Sequence, residues 1–181
     1  MTPPTFDQLP ETSRLRFRRF ALRDESSVFE MFSDPYARRF YPEMADRSKA
    51  RAWIEWNLHN YEQFGFGLWA VELKSSGSFI GDCGITFQEI EGKKELEIGY
   101  HVVYAARGNG YAKEAARACL CFAFRVLKAA RVCSILRPEN IASRAVARCI
   151  HSDCRKVLKR GRPALVFFTT LKEWEARLKS P

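Results

Sequence analysis

Apolar and polar residues alternate in several short runs of the chain, and a period of two is the pattern of a half-buried β-strand. One pair of runs, 78–90 and 94–104, meets across the polar segment Glu-Gly-Lys-Lys (91–94), which predicts a β-hairpin. The runs that predict strands are 13–20, 67–74, 78–90, 94–104, 130–136 and a final strand at 163–170.

Apolar residues spaced three or four apart predict helices between these strands. Asp24 is placed to cap a short helix that Asp34-Pro35 ends, and Ser48 to cap a second helix. Further helices are predicted over 110–127 and from Asn140 to Ile150. The pattern therefore predicts an α+β fold, with a mainly antiparallel sheet and helices packed on its faces.

Length and composition indicate the number of domains and the cellular compartment. The chain has 181 residues, of which 46% are hydrophobic, enough for one domain over residues 1–181 with a flexible extension at 1–12. No apolar run has the length of a membrane helix, and no signal-peptide pattern is present. Six cysteines without paired spacing are interpreted as buried thiols in a reducing cytoplasm, so no metal is expected.

The formal net charge of +9 is concentrated in the second half of the chain. Residues 101–181 hold 17 Lys/Arg and five Asp/Glu, whereas residues 51–100 hold four and eight. Such an excess of positive charge favours a polyanionic partner, either a phosphorylated cofactor or RNA, or is simply a solvated basic surface.

The segment Arg107-Gly108-Asn109-Gly110-Tyr111-Ala112 lies where a strand ends and a helix begins. It lacks the third glycine of a dinucleotide fingerprint and the Gly-Lys-Ser/Thr ending of a P-loop. A glycine turn before a helix N-terminus still directs free N–H groups at an anion. The sequence therefore predicts a pyrophosphate cradle with Arg107 at its edge; a plain strand-to-helix turn is the other interpretation.

This loop resembles the Arg/Gln-x-x-Gly-x-Gly/Ala signature of the GNAT superfamily of acetyl-CoA-dependent N-acetyltransferases. The runs at 14–35, 65–72, 79–85, 95–102 and 138–146 are similar to its RimJ/RimL branch. The resemblance implies a mixed, mostly antiparallel sheet with splayed strands and helices on both faces. It also implies acetyl transfer from acetyl-CoA to a primary amine, such as a protein N-terminus or a small amine, by direct attack on the thioester.

The same resemblance implies roles for individual residues. The implied ligands of acetyl-CoA are His101, Val102 and Val103 at the strand end, Arg107, Gly108, Asn109, Gly110, Tyr111 and Ala112 in the loop, and Asn140. Ser143 matches the position whose hydroxyl protonates the departing thiolate. Glu97 is the candidate base, because an amine attacks only when neutral.

Each of these roles has a structural alternative. Glu97 fits an outward strand residue in an ion pair, Asn140 an N-cap followed by Ser143, and His101 a packing or surface residue rather than a base. Three positions depart from the family. His151-Ser152 replaces a Gly–apolar pair, so His151 implies strain or a different helix end, and Phe167 stands where relatives often have Tyr.

For the acceptor, the resemblance implies a wall between about residues 21 and 64, here with Phe40, Tyr41 and Trp53 as its apolar part. The amine is expected to enter past Glu55, Glu62 or Glu97, which favours a peptide N-terminus or monoamine over a polyamine. No membrane contact or direct nucleic-acid binding is expected, and the protein is expected to be a monomer or homodimer. The alternative function is a non-catalytic module that binds coenzyme A or RNA through the same loop.

Overall fold

Seven strands form one sheet in a computed structural model that describes residues 9–179. The strand order is β1-β2-β3-β4-β5-β7-β6, and neighbouring strands are antiparallel except β4 and β5, which are parallel. The strands are β1 (Leu15–Arg18), β2 (Leu68–Leu73), β3 (Phe79–Ile90), β4 (Lys93–Val102), β5 (Arg131–Leu136), β6 (Asp153–Lys159) and β7 (Arg162–Thr170).

Helices cover both faces of this sheet, which confirms the α+β prediction. They are α1 (Glu25–Ser33), α2 (Pro35–Phe40), α3 (Arg47–Phe64), α4 (Tyr111–Arg125), α5 (Ile141–Ile150) and α6 (Leu171–Lys179). Strand β2 is buried on both sides: Trp69 belongs to the core under α4, whereas Leu68 belongs to the core under α1 and α3. That double burial explains why its first four residues, 68–71, are all apolar.

The β3–β4 hairpin turns at Glu91 and Gly92, both of which have a positive φ. Ile90 pairs with Lys93 across this turn, and the regular register continues to Gly81 and Val102. A two-residue turn of this kind matches the twist of the strands it joins. The turn therefore fixes which residues of β3 and β4 lie opposite each other.

Strands β4 and β5 separate beyond one point of contact. Their ladder consists of the single pair Glu97 and Cys133, whereas β5 and β7 pair over six residues. Past Ile98, whose carbonyl accepts the Ser134 hydroxyl, β4 continues for four residues without β5 beside it. The sheet thus has the splay that the family resemblance implied.

The structure corrects five details of the sequence prediction. Asp34-Pro35 ends α1 but also starts α2, and β6 and α6 were not predicted. Asp46, rather than Ser48, caps α3 by accepting the Ser48 amide. Cys154 is exposed instead of buried. Residues 9–12 of the predicted flexible extension are packed on the domain, since Pro10 is buried and Thr12 donates a hydrogen bond to Glu114; residues 1–8 lie outside the described part.

Helix α5 ends without a left-handed residue. His151 has φ −104° and ψ 159°, an extended conformation that any residue adopts without strain, so the chain leaves the helix directly toward β6. The glycine of related sequences is not needed for this exit. The imidazole is instead 97% buried and lies between Ser134 and Thr169.

Candidate active site

A cavity of about 370 Å³ lies where β4 leaves β5. The end of β4, the glycine loop and the first turns of α4 and α5 form one part of its lining, and α1 and α2 form the opposite part. The cavity is therefore an extension of the gap in the sheet, reached by the N-termini of two helices.

The glycine loop has the conformation that its sequence suggests. Gly108 and Gly110 have φ 81° and 80°, in the left-handed region that favours glycine. A Cβ at Gly108 would contact nothing within 4 Å, so space is open above this turn. The Asn109 side chain donates to the carbonyls of Ala106 and Arg107 and holds the turn in shape.

Helix α4 begins at this loop without a side-chain cap on its N-terminal amides. Tyr111, Ala112 and Lys113, the first three residues of the helix, line the cavity. Because the first N–H groups of a helix have no carbonyl partner within it, they and the positive end of the helix dipole are available to an anion.

The Arg107 guanidinium is directed away from the helix N-terminus. It forms a bidentate ion pair with Asp34 and donates through Nε to the Val102 carbonyl, while it lies 5.3 Å from the Tyr36 ring centroid. Asp34 also accepts the amide of Tyr36, so Arg107 joins the glycine loop to the start of α2.

The end of β4 presents backbone groups to the gap. Val103 N–H donates to the Ile80 carbonyl of β3, and strand alternation therefore directs the N–H of Val102 away from β3. Val102 lines the cavity. A free edge of this kind can pair with an extended ligand or stabilise a developing oxyanion.

The N-terminus of α5 brings two predicted residues to the cavity, and both line it. Asn140 caps the helix by accepting the Ser143 amide at 3.1 Å, and it also accepts the Tyr36 hydroxyl at 3.1 Å. The Ser143 carbonyl accepts the Tyr100 hydroxyl at 2.8 Å, which fixes the first turn of α5 against β4. The Asn140 amide oxygen is therefore used in capping the helix. The Ser143 hydroxyl takes no part in these hydrogen bonds, and the fixed backbone of α5 sets its position.

Glu97 lies at the last point of contact between β4 and β5. Its Oε1 accepts the Ile135 amide at 3.0 Å. Burial raises the pKa of this carboxyl group, although the Lys159 charge and the Ile135 hydrogen bond act in the opposite direction. Glu97 is not among the residues that line the cavity.

His101 is on the same side of β4 as Glu97, two pleats further on, and it lines the cavity. Its Nδ1 lies 2.6 Å from Oδ1 of Asp82, directly opposite on β3. Asp82 itself was not singled out by the sequence analysis. Counting the pairing back from a two-residue turn at 91–92 would have placed Asp82 opposite His101.

Comparison with known proteins agrees with this geometry. Residues 14–151 match the family described as the acetyltransferase (GNAT) domain. The chain belongs to the GNAT family of acetyltransferases, which take the acetyl group from acetyl-CoA. It is 37% identical over 158 residues to YkkB, an uncharacterized protein of Bacillus subtilis (strain 168), covering 86% of this chain and 92% of YkkB.

A second relative of this GNAT chain in Bacillus subtilis (strain 168) is YnaD, an uncharacterized N-acetyltransferase. The two are 32% identical over 141 residues, covering 77% of this chain and 79% of YnaD. The solved structure of an acetyltransferase from Agrobacterium tumefaciens str. C58 is 26% identical, with a TM-score of 0.74, and covers 91% of this chain and 96% of that chain.

The predicted acceptor wall of this GNAT domain is only partly at the cavity. Phe40 and Tyr41 line it, whereas Trp53 lies behind His101 with 5.5 Å between ring centroids. Glu55 pairs with Arg51 on the exposed side of α3, and Glu62 is also exposed. Of the predicted acceptor contacts, the rings of Phe40 and Tyr41 therefore reach the cavity and the two carboxylates do not.

Two further features of the GNAT domain bear on its chemistry. Phe167 is buried in a small core with Leu136 and Ala147, and it does not line the cavity. Within residues 9–179, no three or more His, Cys, Asp or Glu side chains are grouped to hold a metal ion. No helix in that range combines the length and apolarity needed to cross a bilayer.

Proposed function

We propose that this protein is a RimJ/RimL-type N-acetyltransferase that moves an acetyl group from acetyl-CoA to a single primary amine, at a peptide N-terminus or on a small monoamine. The observation that carries the proposal is the continuity of one cavity. It joins the uncapped N-terminus of α4, the free edge of β4 and the Ser143 side chain.

The residues present fit the parts of acetyl-CoA. Free amides at Tyr111 and Ala112, open space above Gly108 and the charge of Lys113 suit a pyrophosphate. The free edge of β4 at Val102 suits the pantetheine arm as an added extended segment. When bound, acetyl-CoA supplies an acetyl group activated as a thioester.

Groups of the protein transfer the protons of the reaction and stabilise the charge that develops on the acetyl oxygen. The Val102 N–H stabilises negative charge on the acetyl oxygen, and the Ser143 hydroxyl donates a proton to the departing sulfur. A base must take a proton from the amine, since an α-amino group has a pKa of roughly 7.7–8.0 and attacks only when neutral. Glu97 and His101, on one side of β4, are the two candidates for that base.

The chemistry of the cavity supports a monoamine acceptor. Among the described residues that line the cavity, none is Asp or Glu. A polycation would therefore bring several charges to an aromatic wall without a counter-charge. The fold alone leaves the acceptor open, because it is shared with RimL, a ribosomal L7/L12 alpha-N-protein acetyltransferase, and with the aminoglycoside acetyltransferase AAC(6')-Ib.

Cofactor binding is tested with the pair Gly110→Glu and Gly92→Glu. Both glycines have a similar positive φ, 80° and 76°, so both substitutions carry similar backbone strain. Only Gly110→Glu puts a carboxylate beside the α4 N-terminus. We expect acetyl-CoA to raise the melting temperature of the parent and of Gly92→Glu but not of Gly110→Glu; equal shifts in all three would place the cofactor elsewhere.

The acceptor class is tested by measuring kcat/KM for neutral N-terminal peptides, small monoamines, spermidine and aminoglycosides. The proposal predicts the highest values for the peptides or the monoamines. A clear preference for spermidine or an aminoglycoside would contradict it. Stabilisation by acetyl-CoA without turnover of any amine would instead favour a non-catalytic module.

A further inference from the structure

A buried carboxylate holds the ring of His101 in one orientation. Asp82 is 99% buried, and its Oδ2 accepts the Trp53 indole N–H at 3.0 Å while its Oδ1 lies 2.6 Å from His101 Nδ1. Because the carboxylate is an acceptor, Nδ1 carries the hydrogen, and in the neutral ring the lone pair is then on Nε2.

Three aromatic rings fix the plane of this imidazole. The centroids of Phe32, Tyr41 and Trp53 lie 5.0, 4.9 and 5.5 Å from that of His101, each in an edge-to-face arrangement. The ring is held by packing on three sides and by Asp82 at one edge. Nε2 has no hydrogen-bond partner within the described residues, and His101 lines the cavity.

We infer that His101 Nε2 is the base that takes the proton from the acceptor amine, with Asp82 as its positioning residue. This inference rests on the proposed function. The amine arrives as an ammonium ion and gives one proton to Nε2. Its nitrogen then bonds to the acetyl carbon as the carbon–sulfur bond breaks. The sulfur receives the Ser143 hydroxyl proton, and the second proton of the nitrogen passes to the Ser143 oxygen and restores that hydroxyl. His101 later releases its proton to water.

Glu97 is less suited to direct contact with the amine. Its Oε1 is occupied by the Ile135 amide at the junction of β4 and β5, and the residue is not part of the cavity lining. His101 is two strand repeats closer to the open end of β4. We therefore assign Glu97 a structural role at the junction of β4 and β5, and His101 the role of base toward the acceptor amine.

Other charged and titratable groups face this ring or share its cavity, and they enter the pH dependence of the reaction. The residues of α1 and α3 that contact the His101 ring are Phe32 and Trp53, whose aromatic rings carry no charge. The polar groups are the following: Asp82 on β3, Glu97 and Tyr100 on β4, Tyr36 on α2, Tyr41 after α2, and Arg107, Tyr111 and Lys113 at the far end of the cavity.

The first experiment compares His101→Gln, Asp82→Asn and Glu97→Gln with the parent, using the amine of the panel that is acetylated fastest. Loss of a base costs about 10²–10⁴ in rate. We expect kcat to fall at least 10²-fold in His101→Gln, with the acetyl-CoA Kd unchanged and the acidic limb of the pH profile lost. Asp82→Asn should lower kcat with little change in KM, and Glu97→Gln should keep the acidic limb.

The second experiment separates a base from a packing residue by chemical rescue. His101→Ala leaves a space among three aromatic rings, which either imidazole or pyrrole can fill. A ring needed only for packing would be replaced by both compounds. We expect imidazole alone to restore turnover, because pyrrole has no basic nitrogen.

A third readout needs no turnover. Nitrogen NMR of the ¹⁵N-histidine protein is expected to show the Nδ1–H tautomer at His101 in the parent and a changed tautomer population in Asp82→Asn.

Rescue by pyrrole as well as imidazole, or a full rate in His101→Gln, would overturn the assignment while leaving acetyl transfer intact. If the parent binds acetyl-CoA but acetylates no amine, the proposed function fails instead, and this inference fails with it.

Discussion

Arg107 and Asp34 form a bidentate ion pair, with Nη1 to Oδ1 at 3.0 Å and Nη2 to Oδ2 at 2.6 Å. Arg107 opens the glycine loop, and Asp34 caps α2, which carries Tyr36 and Phe40 to the cavity. The pair therefore connects the two ends of the cavity, the one that suits a pyrophosphate and the one lined by aromatic rings. Movement of α2 would displace the loop.

Asp34→Asn is expected to weaken this connection. The amide keeps an oxygen for the cap of α2 but removes the charge that Arg107 contacts, and a hydrogen bond to a charged group contributes about 1.5–3 kcal/mol. We expect a loss of about 1–2 kcal/mol in the free energy of unfolding, measured in urea, and a higher KM for acetyl-CoA. Glu55→Gln, which removes an exposed ion pair with Arg51, should change stability by less than about 1 kcal/mol. Equal losses in the two variants would show that the Asp34 pair has no special role.

Ser143→Ala is expected to slow the chemical step and leave cofactor binding intact. Its backbone is held by Asn140 and Tyr100, so removal of the hydroxyl changes only the proton donor. We expect kcat to fall roughly 10²-fold, the lower end for acid–base groups, with an unchanged Kd for acetyl-CoA. Ser143→Thr, which keeps a hydroxyl, should recover most of the rate. An unchanged kcat in Ser143→Ala would remove this residue from the mechanism.

His151 is expected to make the folded state sensitive to mild acid. Burial, assisted by the Arg177 charge, lowers the pKa of this imidazole from 6.5 to about 3, so the ring is neutral when folded. The unfolded chain binds a proton there below about pH 6.5 and the folded chain does not. Stability is therefore full above that pH and declines as pH falls toward 3, by up to about 1.4 kcal/mol per pH unit.

The measurement is urea unfolding between pH 6.5 and 5, above the range in which carboxylates of ordinary or lowered pKa titrate. The raised pKa of Glu97 acts in the opposite direction, but equally in the parent and the variants. His151→Gln should flatten the decline, because glutamine does not titrate, even if it lowers stability at pH 7. His59→Gln, which replaces an exposed histidine, should leave the slope as in the parent. A parent slope near zero in this range would mean that His151 becomes protonated without unfolding.

The parts of the fold that the sequence predicted depend on local patterns. Alternation along β3 and β4 and the Glu-Gly turn between them predict the hairpin, and Gly108 and Gly110 predict the turn before α4. These signals are strong because a single short segment contains all of the information. The cap of α5 by Asn140 is predicted for the same reason.

The parts that were missed depend on partners distant in sequence. Most residues of β6 are exposed on the edge of the sheet, so its apolar alternation is weak, and α6 contains a single buried residue, Trp174. Pro35 stops α1, yet it also suits the first turn of α2, and a sequence pattern alone does not select between these roles. The pairing of His101 with Asp82 depends on the register of the whole hairpin, and the apolar alternation along either strand alone does not contain that register.

The most direct test of the central claim is the release of coenzyme A thiol by the parent protein with acetyl-CoA and the amine panel, measured together with the acetylated product. We predict that at least one neutral N-terminal peptide or small monoamine raises thiol release far above the rate without amine, with one acetylated amine formed for each thiol. Thiol release that no amine accelerates, in protein that acetyl-CoA stabilises against heat, would contradict the claim that this cavity transfers an acetyl group.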